Sequence, residues 1–166
     1  MKKLILIFFL ASTFQFLNAQ ERQVYFPKQI PEFSILAEDG SEFTEKDLTK
    51  KKNLVFIYFN PGCFHCETAF KTLNLNYQNL NIEGVKIYLV SAGSVQDTKV
   101  FMKQLAPNLL KLDNFEVIYD EDYRFADAFS VGVFPHSFLY DKKGKLIDSY
   151  PGEQRIIEPF KVLLKK

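Results

Sequence analysis

Tryptophan is missing from the 166 residues, and cysteine, histidine and methionine occur only twice each. Neither sign of charge is in excess, with 21 Lys and Arg against 20 Asp and Glu. That balance speaks against nucleic acid or an anionic membrane surface as the main partner. No internal repeat and no low-complexity tract is visible. No apolar run comfortably reaches the roughly 20 residues of a membrane-spanning helix; residues 4–17 are mostly apolar but interrupted by Ser12, Thr13 and Gln15. What is plentiful is phenylalanine, 18 residues of it, which points to an aromatic core rather than a disordered chain.

The N-terminus reads as an export signal. Lys2 and Lys3 precede the apolar stretch, and Ala19 offers a cleavage point, although Leu17 is larger than the Ala-x-Ala pattern prefers. A retained N-terminal anchor is the alternative. No cysteine follows the cleavage point, so no lipid-anchored form is expected. Cleavage after residue 19 leaves one domain of ordinary size, able to bury a core without staples. Residues 20–30 read as an N-terminal extension and residues 31–166 as the folded domain. Loss of Lys2 and Lys3 takes the net charge from +1 to −1.

Both cysteines lie in "NPGCFHCET", residues 60–68. They could form a catalytic dithiol, half of a metal site, or a structural clip. A bridge between Cys63 and Cys66 closes a very short loop and constrains the unfolded chain little, so it is a poor staple. Residues 53–60 are a continuous apolar run rich in Val, Ile, Phe and Tyr, the pattern of a strand buried on both faces. Pro61 and Gly62 break it. Cys66, Ala69, Phe70, Leu73, Tyr77 and Leu80 then recur near helical spacing. The cysteines therefore fall where a strand turns into a helix. Unpaired N–H groups and the helix dipole at such a start stabilise a thiolate, and activated cysteines there reach pKa values of about 3.5–7.5. A spacing of three puts both sulfurs on one helical face. Cys63 reads as the exposed nucleophile and Cys66 as the buried resolving cysteine.

The remaining chain supplies further elements. Residues 85–91 and 115–119 read as strands, residues 94–105 as a helix with Ser94 as its cap, and residues 123–129 as a short helix. Residues 136–140 and 145–150 read as strands joined by "DKKG", with Gly144 taking positive φ. Residues 156–164 are apolar at helical spacing, with Pro159 delaying the helix until near Ile157. Residues 33–36 and 42–43 flank "EDG" as an added hairpin. The whole is an α/β sandwich around a mixed sheet.

The strand, "CFHC" at a helix start and the later "VGVFPHSFLYDKKGKLI" resemble the thioredoxin fold. The leading "PEFSILAEDGSEF" and the middle helix–strand insertion resemble exported thioredoxin-like proteins of the TlpA and ResA type, over residues 31–164. This resemblance implies a central mixed β-sheet flanked by helices, with an N-terminal β-hairpin extension. It implies that Pro135 is the family's cis-proline and that the backbone of Phe134 docks the incoming substrate segment. It places His65 in the slot where strongly oxidising relatives carry a histidine that favours the reduced, thiolate-bearing form. Phe64 departs from the proline or glycine often found beside it. Two acids of the family are missing: Ile57 stands in place of thioredoxin's buried acid, and Ala69 in place of a ResA-type glutamate. Glu67 is nearby but reads as solvent-facing, so the proton acceptor for Cys66 is unassigned.

Two other functions share this fold. Cys63, Cys66 and His136 form a soft set suited to Cu(I), similar to that of Sco-type copper chaperones, whose cysteines lie one residue further apart. Peroxiredoxins resemble the chain as well, but carry a threonine or serine where Asn60 stands. Zinc fits less well, because a structural site needs four placed ligands. The leading expectation is an exported, periplasmic thiol-disulfide oxidoreductase that uses Cys63 and Cys66 without metal or cofactor. Its partners would be protein thiols or disulfides and an unidentified redox partner. No nucleic acid and no stable membrane insertion of the mature chain are expected.

Overall fold

Strand β3 (Asn53–Phe59) is buried from its second residue onward and alternates its side chains between two cores. Val55, Ile57 and Phe59 face one side, and Leu54, Phe56 and Tyr58 the other, as the period of two requires. The computed structural model describes residues 25–80 and 82–163. The expected export signal of residues 1–19, the expected extension before Tyr25 and the expected end of the last helix at Leu164 lie outside the described residues.

Around β3 stands a seven-stranded sheet of order β2-β1-β5-β4-β3-β6-β7. The strands are β1 (Ser34–Leu36), β2 (Glu42–Thr44), β4 (Val85–Ser91), β5 (Phe115–Tyr119), β6 (His136–Tyr140) and β7 (Leu146–Pro151). β3, β4 and β5 run parallel, while β6 pairs with β3, and β1 with β5, antiparallel. The expected N-terminal hairpin is β1–β2. Helices α1 (Phe64–Asn76), α2 (Val95–Leu105) and α4 (Glu158–Leu163) pack on the Val55 side through Phe70, Phe101 and Phe160. Helix α3 (Arg124–Phe129) packs on the Phe56 side through Phe125 and Phe129.

Local chemistry sets the element ends. Ser94 Oγ accepts the Asp97 N–H at 3.1 Å and caps α2 as expected. Helix α3 is capped instead from a distance: Asp120 accepts the N–H groups of Phe125 (2.9 Å) and Ala126 (3.1 Å). Gly144 has φ 75° in the turn after β6. Strand β7 begins one residue later than the pattern implies, because Lys145 closes the turn by accepting the Asp141 N–H at 2.9 Å.

The segment before β1 is held to the β6–β7 hairpin. Tyr140 donates its hydroxyl to Pro27 O at 3.1 Å, Leu146 N–H donates to Lys28 O at 2.9 Å, and Ile30 N–H donates to Gly144 O at 3.0 Å. Its Phe26 ring lies edge-on to Phe138 and His136.

Candidate active site

Cys63 is the N-cap of α1, in extended conformation at φ −98° and ψ 119°. Its N–H donates to Asn60 O at 3.1 Å, and its C=O accepts the Glu67 N–H at 3.1 Å. Its side chain makes no capping hydrogen bond. The thiol thus sits half-buried at the mouth of the helix, while Cys66, one turn in, is 0% exposed. Both cysteines are unbridged. This is the arrangement that the spacing implied.

Asn60 organises the turn between β3 and α1. Besides accepting from Cys63, its Oδ1 accepts the Gly62 N–H at 2.8 Å, and its own N–H donates to Cys66 Sγ at 3.5 Å. Pro61 is pressed against the loop after β4, where a Cβ on Gly93 would lie 2.7 Å from Pro61 Cδ, so only glycine fits there without displacing the turn. Burial pushes the Cys66 thiol well above its ordinary range. The Asn60 N–H opposes that shift, and the Cys63 sulfur and the Glu153 charge add to it. A thiol of this kind stays protonated and unreactive until a neighbouring sulfur is presented to it.

The Phe134–Pro135 peptide is cis, and Pro135 is buried before β6. Phe134 stacks on Tyr58 with centroids 5.4 Å apart, and Tyr58 donates its hydroxyl to Asp120 at 2.9 Å. Neither the N–H nor the C=O of Phe134 makes a backbone hydrogen bond among the described residues. The half-buried ring packs between the two cores.

His65 does not reach for Cys63. Its Nδ1 donates to Glu153 Oε2 at 2.8 Å, and no other hydrogen bond of its ring occurs among the described residues. Phe64 beside it is 72% exposed. His136 is 2% exposed, stacked on Phe138 at 4.3 Å with Phe26 edge-on at 5.0 Å. Neither of its ring nitrogens has a hydrogen-bond partner among the described residues. Burial alone lowers its pKa to about 4. These neighbours belong to the Phe56 side of the sheet, whereas Cys66 lies on the Val55 side. The copper set of Cys63, Cys66 and His136 is therefore not brought together. Among the described residues no three His, Cys, Asp or Glu side chains are grouped to hold a metal ion.

Glu153 and Asn60 are the site residues that sequence reasoning missed. "NPG" signals a turn at Asn60, but nothing local marks Glu153, which is 88 residues from His65.

This geometry is that of a closely spaced CxxC pair on a thioredoxin-like frame, and the comparisons with known proteins agree with that frame. The AhpC/TSA family pattern matches residues 27–149, and the chain belongs to that family. It is 31% identical to the thiol-disulfide oxidoreductase ResA of Bacillus cereus, over 82% of this chain and 75% of that protein. The thioredoxin domain of a thiol-disulfide oxidoreductase from Bacteroides vulgatus superposes with a TM-score of 0.64 at 18% identity, covering 86% of this chain and 98% of that one. A secreted disulfide oxidoreductase of Mycobacterium tuberculosis gives a TM-score of 0.61 at 17% identity, over 78% and 95% of the two chains. The chain is thus a distant homologue of ResA-type thiol-disulfide oxidoreductases with a thioredoxin-like fold. Among the described residues no helix is long and apolar enough to cross a membrane.

Proposed function

We propose that the protein is exported to the periplasm and exchanges disulfides with partner proteins through Cys63 and Cys66. The observation that carries this reading is the pairing of a half-exposed cysteine at the N-cap of α1 with a fully buried one a turn later. In the reducing direction the Cys63 thiolate attacks one sulfur of a partner disulfide. A Cys63–partner bond forms and the partner's other sulfur leaves as a thiolate. Cys66 then loses its proton and attacks Cys63 Sγ, closing the Cys63–Cys66 bond and releasing the partner's second sulfur. Two electrons pass from the dithiol to the partner, and the released thiolates take up the two protons. The oxidising direction is the same path reversed, and the potentials of the two couples decide which runs.

The unpaired backbone of Phe134 is the docking edge for the partner's cysteine segment, and Pro135 keeps that edge open because it has no N–H. His65 favours the reduced form only to the extent that its pairing with Glu153 leaves the ring free to act on the Cys63 thiolate. His65→Pro, at the second helical position where proline is tolerated, is expected to make the protein more reducing in a glutathione titration.

The direct test is trapping. Cys66→Ser lacks the resolving sulfur and should accumulate mixed disulfides with partner proteins in the native compartment, while Cys63→Ser should accumulate none. Absence of trapped partners with Cys66→Ser contradicts the reading. Copper carriage draws no support from a His136 on the far side of the sheet. Peroxide chemistry finds no hydroxyl three residues before Cys63, where the Asn60 amide is spent on the turn.

A further inference from the structure

The acids that the resemblance implies near the dithiol are replaced by Ile57 and Ala69, both buried and apolar. The fold brings in a carboxylate from another part of the chain. Gly152 follows β7 at φ 86° and donates its N–H to Pro135 O at 2.8 Å. This bond ties the next turn, Glu153–Arg155, to the proline loop, and the turn packs against α1. Glu153 opens that turn and meets His65 Nδ1 at 2.8 Å. A carboxylate oxygen only accepts, so the ring N–H is the donor. Glu153 is the less exposed partner, 26% against 63% for His65, so the acid is fixed by the turn and the ring is held to it. The charges nearby are engaged elsewhere: Arg155 lies 5.0 Å from the centroid of the Tyr150 ring, and Glu67 pairs with Lys71 along α1 at 3.6 Å.

We propose that Glu153 is a positioning residue that holds the His65 ring away from Cys63 and so keeps the Cys63–Cys66 couple more reducing than its CFHC motif implies. The inference rests on the dithiol reading above. Reduction by glutathione breaks the Cys63–Cys66 bond and forms one glutathione disulfide from two glutathione thiols. Two electrons and two protons pass to the cysteines. Only the reduced side of this equilibrium carries a thiolate, so only that side responds to charge. The Glu153 carboxylate opposes a thiolate by its field, and the ring N–H it occupies is unavailable to that thiolate. Both effects favour the disulfide.

The experiment is a glutathione redox titration of the full chain and its variants. Glu153→Ala is expected to shift the equilibrium about tenfold toward reduced protein, which is about 30 mV more oxidising for a two-electron couple. Glu153→Gln should shift it in the same direction, and Glu153→Asp should stay within about twofold of the parent. In a His65→Asn background the effect of Glu153→Ala should fall below about threefold. A Glu153→Ala shift below about threefold, or toward the oxidised form, overturns the proposal. A shift of equal size in both backgrounds also overturns it, because Glu153 then acts without His65. A parent protein that exchanges with glutathione to an unchanged constant in all variants defeats only the role of Glu153. A parent that never exchanges defeats the dithiol reading itself.

Discussion

On the α3 side of the sheet the core is built of rings. Phe125 stacks on Phe129 at 3.8 Å and on Tyr58 at 5.7 Å, and Phe56 touches Tyr88, Phe125, Phe129 and Tyr140. On the α1 side the neighbours of β3 are mainly smaller: Cys66, Ala69, Leu73, Ile87 and Leu89, with Phe59, Phe70 and Phe101 as a separate aromatic knot. The dithiol belongs to this second side, and among the described residues Phe134, stacked on Tyr58, packs against both sides. One face is thus a stiff scaffold that places the proline loop. The other is a helix end that presents sulfur. Large rings suit the first task because each buries much apolar area with few rotatable bonds. Alanine and cysteine suit the second because they let the helix start come close to the sheet.

The sharpest way to break this division is to remove a ring from the scaffold. Phe125→Ala should cost about 3–5 kcal/mol, the range for deleting a buried aromatic side chain, measured by denaturant unfolding. Folded protein that remains should keep the parent redox potential, because Phe125 touches neither cysteine. A changed potential at full stability would mean that the two sides are not separate.

His136 gives the aromatic side a pH dependence in the acid range. Its imidazole is buried without a hydrogen-bond partner among the described residues, with a pKa of about 4 in the folded chain, against about 6.5 when unfolded. As pH falls below about 6.5 the unfolded chain takes up this proton first, so stability drops, and the loss is complete near the folded value of about 4. That difference corresponds to about 3 kcal/mol. His136→Phe should remove the corresponding slope, visible as the difference between the two stability–pH curves. Parallel curves would show that the imidazole is already protonated or solvated in the folded chain.

Much of this was legible in the sequence because it is local. The apolar run before Pro61 and the helical spacing after Phe64 put the cysteines at a strand–helix junction, and the structure places Cys63 at that N-cap. The "DKKG" turn and the "FP" ahead of β6 are likewise short-range signals. What escaped depends on parity and on distance. His136 shares its face of β6 with Phe138 and Tyr140, and that parity sends it away from Cys66. Asn60 serves the turn through three hydrogen bonds that no spacing rule encodes. The pairing of Glu153 with His65 exists only once Gly152 is bonded to the proline loop. Asp120 caps α3 from outside the usual N-cap position, which Tyr123 occupies at φ 61°.

The division of labour between the two cysteines is tested most directly by alkylating the reduced protein near neutral pH and mapping the label by mass. Cys63, half-exposed at the helix mouth, should react far faster than Cys66, which is fully buried with its thiol held protonated. Equal rates, or faster labelling of Cys66, would contradict the assignment of attacking and resolving sulfur.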